Sequence, residues 1–297
     1  MASSSIPLLV WLGETGCHEV ALAGGKAANL SKLASSFLVP PGFCLSAKAH
    51  AQWSETLLQP DSEKSTSGFP EPLTCLVRQA YASLGERCQI AHPVVAVRSS
   101  GVDEDGSGAS FAGQFLSCLN IRGLEALLEA IVRCWASAEN DHVREYRARQ
   151  GLGSGAMAVL VQEMVAADAA AVVFSRSPTG SADDVLINAN YGIGESIVSG
   201  TANPDIWTLR RTDLYQSGLV IGQKATMTVY DGEAGTREVR VPRALRQRAC
   251  LEPEQVEALG RLALTLEEAM GWPVDLECAF RGDEIYLLQC RPITTVS

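Results

Sequence analysis

A succession of strand-length apolar runs in the second half of the chain narrows the fold most. Ala158–Val165, Ala169–Phe174 and Val185–Asn190 follow one another, and segments near Ile206–Leu209, Leu219–Ile221 and Ala225–Tyr230 extend the series. Elsewhere helical patterns and strands mix without a regular βα alternation. That order predicts an α+β fold rather than a doubly wound sheet.

The helical patterns are fewer. Gly24-Gly25-Lys26 opens one through Leu30 and Leu33, and Val39-Pro40-Pro41-Gly42-Phe43 ends it, because Pro40 cannot continue a helix. From Gly123 to Tyr146, Leu124, Leu127, Leu128, Ile131 and Trp135 form one apolar stripe. A third begins at Pro253, a residue suited to a first helical turn, and carries Val256, Leu259, Ala263, Leu266 and Met270. Gln59 to Pro72, crowded with Pro, Ser, Asp, Glu and Gly, predicts an exposed loop.

Composition removes several functions. A net charge of −10 argues against a nucleic-acid or polybasic membrane surface. No run approaches ~18 uninterrupted apolar residues, and the first residues lack the pattern of a secretory signal. The nine cysteines form no C-x-x-C pair, so reduced thiols in a cytoplasmic protein are expected.

Chemistry concentrates in five places. The last is a hairpin, Val274–Phe280 with Ile285–Cys290. A three-residue turn at Gly282–Glu284 would set Glu277 opposite Gln289, with Arg291 on the same face. Val274, Leu276, Cys278, Phe280, Tyr286, Leu288 and Cys290 would then face the core. Carboxylate, amide oxygen and guanidinium together suit a magnesium–polyphosphate complex; a solvated Glu–Arg pair is the plainer reading. A two-residue turn would put Glu277 and Gln289 on opposite faces.

Gly24-Gly25-Lys26 at a helix start can receive an anion, though the Walker A spacing is absent. The apolar run Val94 to Val97 predicts a strand ending at Arg98-Ser99-Ser100, followed by a Gly/Ser-rich turn from Gly106 to Gly113 that could clamp phosphates. Val161-Gln162-Glu163-Met164-Val165 closes a strand and could offer adenine backbone hydrogen bonds. Asn190-Tyr191-Gly192-Ile193-Gly194-Glu195 is a glycine-rich loop with one acid. Each motif alone also fits an ordinary turn or strand end.

In order, GGKAANLSKL, VPPGF, VRSSGVDEDGSGASFAGQ, LVQEMV, VVFSRSPTG, NANYGIGESIVSG and DLECAF…IYLLQCRPIT resemble one family block by block. It is the N-terminal ATP-grasp nucleotide-binding domain of phosphoenolpyruvate synthase, pyruvate phosphate dikinase and rifampin phosphotransferase. The resemblance runs from about Gly24 to Thr294 and implies two lobes with the nucleotide between them. It places the lobes at 1–113 and 114–297, with the division falling between Gly113 and Gln162.

The resemblance also implies site roles and the cofactors ATP and Mg²⁺. Lys26, Arg98 and Arg291 are then the catalytic cations, the first two on ATP phosphates. Gly113 and Ser117 lie in or just after the lid over those phosphates; Ser117 stands where relatives often have Thr. Gln162, Glu163, Met164 and Val165 line the adenine pocket. Glu277 and Gln289 hold metal and nucleotide, and Lys224 matches a family block without an assigned role.

Family members pass the β-phosphoryl group of ATP to a histidine on a separate swivelling domain, releasing AMP and phosphate. None of His18, His50, His92 and His142 sits in a carrier-like motif. The expectation is therefore an ATP-binding subunit serving a histidine-bearing partner in trans. Phenylphosphate synthase is a split enzyme of that design, and phosphoenolpyruvate synthesis is the other acceptor chemistry. A self-sufficient ATP-grasp kinase or ligase, a non-catalytic nucleotide-binding module and a fragment of a longer synthase are the alternatives.

Overall fold

The computed structural model describes residues 6–57, 69–102, 116–138, 157–232 and 234–293. Contacts divide the chain into two units. One comprises Met1–Ser36, Pro40–Met164 and Gly232–Gly235; the other comprises Phe37–Val39, Val165–Asp231 and Thr236–Ser297. The division falls later than residue 113 because the strand at 157–163 is central to the first sheet.

In the first unit, β1 (Leu9–Trp11), β2 (Gly42–Leu45), β3 (Val95–Gly101), β4 (Ser117–Ile121) and β5 (Met157–Glu163) form one sheet. Its order is β1-β2-β5-β3-β4, with every pair antiparallel. Side chains alternate across a strand, so β5 turns Met157, Val159 and Val161 to a core shared with Phe43, Leu45, Val95 and Val97. Helices α2 (Ala47–Leu57), α3 (Glu71–Cys88) and α4 (Leu124–Ala138) fill that core with Trp53, Leu73, Val77, Leu84, Leu127, Ile131 and Trp135. Burying each such side chain contributes about 1.5–3 kcal/mol. Trp135 keeps its polar atom satisfied by donating to the Met157 carbonyl at 3.1 Å.

The opposite face of this sheet receives α1 (Val20–Leu33), where the Cys44 thiol reaches the Ala23 carbonyl at 3.5 Å. One local expectation changes here. Helix α1 starts at Val20 and is kinked at Gly24, and it ends at Leu33, well before Pro40. The prolines instead lead into β2. Strand β3 ends at Gly101, one residue past the expected Arg98-Ser99-Ser100, because its pairing with β5 runs on to Gly101 opposite Met157. The 106–113 turn, most of the 59–72 loop and the helix expected beyond Ala138 lie outside the described residues.

The second unit contains β6 (Ala169–Phe174), β7 (Asp184–Tyr191), α5 (Glu195–Val198), β8 (Asp205–Arg210) and β9 (Gln216–Val220). It continues with β10 (Thr226–Tyr230), β11 (Thr236–Arg240), α6 (Pro253–Met270), β12 (Val274–Arg281) and β13 (Glu284–Pro292). Six strands form an antiparallel sheet ordered β13-β12-β6-β7-β8-β9, and β10 pairs with β11. Both sheets and the irregular helix placement give the expected α+β class.

Helix α6 starts as Pro253 predicts, with a capping box between Glu252 and Gln255 and left-handed Gly271 closing it. It buries Val256, Leu259, Ala263 and Leu266 over the sheet face that carries Leu276, Val173, Ile187 and Leu209. Glu267 near its end accepts from Arg176 at 2.9 Å and Arg211 at 2.8 Å. Burial opposes ionisation there, yet the bonds from Arg211, Ser175 and Arg176 hold its carboxyl below the ordinary value. The other side of the sheet is mixed, with Asp275, Glu277 and Asn188 set among Val172, Ala170 and Ala279.

Candidate functional site

In the first unit the structure joins two motifs 73 residues apart. The Lys26 ammonium donates to the Ser99 carbonyl at 3.4 Å, and the Ala27 N–H donates to the Ser100 hydroxyl at 3.1 Å. Gly24 makes the approach possible. It has φ 75°, and a Cβ there would stand 2.0 Å from the Ser100 carbonyl oxygen. Only glycine accepts both the dihedral and the contact. The helix resumes at Gly25 and Lys26, directly against β3.

Arg98 sits mid-strand on the same face as Ser100, so it lies on the α1 side of the sheet. Register places Ser117 opposite Arg98, adding a hydroxyl to that face. Lys26, Arg98, Ser100 and Ser117 are thus drawn from three elements onto one side. Gly113 lies outside the described residues.

The expected adenine strand is divided. Gln162 is buried, and its amide donates to the Pro40 carbonyl at 3.2 Å, fixing the proline turn. Glu163 points to the other face, beside Cys88, whose thiol burial and that carboxylate together push up to about 12. The Met164 sulfur accepts from the Asn120 N–H at 2.9 Å. Val165 belongs to the second unit and packs with Ala279 and Tyr286, its carbonyl taking the Tyr230 hydroxyl at 2.6 Å.

On the second unit, Glu277 pairs directly with Gln289 and Asp275 with Arg291. The route to that register differs from expectation. Arg281 pairs with Glu284 across a two-residue turn, and an extra residue, Leu288, is bulged from β13 between the Cys278–Leu287 and Glu277–Gln289 pairs. The bulge restores what the shorter turn would have lost. It also changes the faces: Leu287, not Leu288, pairs with Cys278 on the core side, and Tyr286 shares the Glu277 side.

Tyr286, Leu288, Ala279, Val165 and Ala167 consequently form a small apolar cluster at one end of the polar face. At the other end Arg291 Nε donates to Asp275 Oδ2 at 2.8 Å. Burial raises the Asp275 carboxyl above its ordinary value; Arg291 pulls it back and Glu277 pushes it up again. Its second oxygen, Oδ1, is buried without a hydrogen-bond partner. Asp275 was not among the expected site residues, although its alternation with Glu277 in Val274-Asp275-Leu276-Glu277 was readable.

This donor set fits magnesium. It is oxygen only, from Glu277, Gln289 and Asp275, and Mg²⁺ takes one or two carboxylates while phosphates and water complete its shell. Among the described residues no three His, Cys, Asp or Glu side chains form a metal cage.

Other motifs have structural work. Lys224 is fully buried against Asp205, which also accepts from the N–H groups of Gly222 and Cys250, each at 2.8 Å. Gly192, at φ 76°, lets Ile193 bond the Thr228 carbonyl at 3.0 Å. His50 is buried, and its Nδ1 accepts from the Met157 N–H at 3.3 Å. His92 is exposed, and His142 lies outside the described residues. Among the described residues no helix is long and apolar enough to cross a membrane.

Residues 20–297 match the model of the family described as "Pyruvate phosphate dikinase, AMP/ATP-binding domain". A probable phosphoenolpyruvate synthase of Methanocaldococcus jannaschii is 33% identical over 98% of this chain and 27% of its own length. An uncharacterized phosphotransferase of Bacillus subtilis is 36% identical over 93% of this chain and 34% of its own. A rifampicin phosphotransferase of Streptomyces sviceus is 32% identical over 96% of this chain and 36% of its own. The chain therefore spans about a quarter to a third of the length of these relatives.

Proposed function

The chain belongs to the pyruvate phosphate dikinase AMP/ATP-binding domain family, and from that premise we propose that it binds Mg-ATP and passes the β-phosphoryl group to a histidine on a partner protein. Water and ATP enter with the imidazole; AMP, phosphate and phosphohistidine leave. The observation that carries this reading is the joint between the Gly24-Gly25-Lys26 helix start and the Arg98–Ser100 segment. It sets a helix start, an ammonium and a guanidinium on one side of the first sheet. Polyphosphate is the ligand such a frame suits.

The chemistry asked of these residues is positioning and charge stabilisation. Lys26 and Arg98 hold phosphoryl oxygens. Arg291, oriented by Asp275, meets charge that develops as the phosphoryl group moves. Glu277 and Gln289 would hold magnesium, which supplies further neutralisation when bound. The apolar cluster around Val165, Ala279, Tyr286 and Leu288 suits the adenine ring.

The nucleophile is assigned to a histidine outside residues 1–297, on a partner protein in this reading, since His50 is enclosed in the first unit's core and none of the four histidines stands in a carrier-like sequence. The final acceptor, phenol or pyruvate in the systems this sequence resembles, would be chosen by that partner.

Nucleotide product analysis with Mg-ATP tests the reading, for the chain alone and with lysate of its source cells. AMP and phosphate formed only with lysate is the expected result. ADP as product, or turnover by the chain alone with a small acceptor, overturns the histidine route in favour of a self-sufficient kinase.

A further inference from the structure

Across the face of the second unit's sheet that α6 does not cover, strand pairing places Gln289, Glu277, Val172, Asn188 and Ile206 in one row. Asn188 stands two strands from Glu277, about 10 Å between backbones, on the side away from Gln289. Val172 between them is small and only 9% exposed, so it forms a floor. Glu277 and Asn188 are both half-buried, so each keeps some surface on the side of that floor.

Asparagine is disfavoured in strands, and here it interrupts the buried pair Ile187 and Ala189. Its neighbour in the same motif has an architectural reason to be there. Asn190 is 1% exposed, donates to the Thr226 carbonyl at 3.3 Å and accepts from the Tyr191 N–H at 3.0 Å. Asn188 faces the polar row instead. Glu277 can only accept hydrogen bonds when ionised, whereas an amide brings two N–H donors. A magnesium–polyphosphate needs both kinds: oxygen ligands for the metal and donors for its anionic oxygens.

We propose that Asn188 is a polyphosphate-binding residue, its amide donating to a phosphoryl oxygen while Glu277 and Gln289 take the metal end of the same ligand. This rests on the reading that the chain binds Mg-ATP. Its contribution is selective for the phosphates and independent of the adenosine moiety.

Isothermal titration of the full chain with Mg-ATP and, separately, with adenosine provides the test, on wild type, Asn188→Ala, Asn188→Ser and Glu277→Ala. Asn188→Ala is expected to weaken Mg-ATP binding about tenfold, with adenosine affinity and the ligand-free melting midpoint unchanged. Asn188→Ser, which keeps a polar group too short to reach, behaves likewise and decides the matter if the alanine variant does not fold. Wild-type affinity for Mg-ATP in the Asn188 variants, with Glu277→Ala impaired, overturns this inference alone. Equal losses for Mg-ATP and adenosine assign Asn188 to the fold and also overturn it. Failure of the wild type to bind Mg-ATP removes the reading beneath it.

Discussion

At the scale of single residues, the pair Arg291–Asp275 links the function to stability. Asp275 is a buried carboxylate with a raised pKa, held ionised by one guanidinium and pressed by the Glu277 charge. Removing that guanidinium in Arg291→Ala raises the Asp275 pKa further. A folded-state pKa above the unfolded value means the folded protein binds the extra proton, so this group favours folding at low pH and the benefit is lost as pH rises through the raised pKa. Arg291→Ala is therefore expected to cost about 1–3 kcal/mol near neutrality and progressively less toward pH 4, besides lowering turnover by orders of magnitude. Urea midpoints for variant and wild type between pH 4 and 7 check the sign; a deficit that grows on acidification contradicts it. Sequence alone pointed to Arg291 as a phosphate ligand. It did not show that Asp275 holds it, since alternation gives the face but not which neighbour is close enough to bond.

At the scale of elements, the joint between α1 and β3 concentrates strain tolerance in one glycine. Gly24→Ala places a Cβ against the Ser100 carbonyl at a positive φ, and should cost more than about 1 kcal/mol together with most of the affinity for Mg-ATP. Denaturant titration paired with nucleotide binding measures both; retention of both shows that α1 can shift without consequence. The sequence marked Gly24-Gly25-Lys26 and Arg98-Ser99-Ser100 as separate weak signals. Their meeting depends on how helix and sheet pack, which local pattern does not encode. The final hairpin is the converse: its twelve-residue spacing correctly matched Glu277 to Gln289, but by the wrong turn. A bulge has no fixed residue signature, so Tyr286 and Leu288 were placed on the core face when both share the Glu277 side.

At the scale of the whole molecule, the α+β class and the ATP-binding family were legible because several motifs occur in a fixed order along nearly the entire chain. Which surfaces those motifs share was not, since sheet order departs from chain order in both units. Ligand linkage supplies a global test. Mg-ATP at a hundred times its dissociation constant should stabilise the protein by about 2.7 kcal/mol, and EDTA should abolish most of that gain. Thermal melts with Mg-ATP, with ATP plus EDTA and without nucleotide decide it; equal midpoints in all three refute nucleotide binding at those concentrations. The second unit also has a history written into its connectivity. Residues Phe37–Val39 belong to it, and the Leu38 carbonyl accepts from the Leu287 N–H at 2.9 Å. On the ribosome that carbonyl emerges early and waits through synthesis of both sheets for its partner. Such a contact gives the nascent chain no reward until the closing strand arrives, so residues 37–39 take their place in the second unit only after β13 has been made, although β6 to β9 can pair in chain order before that.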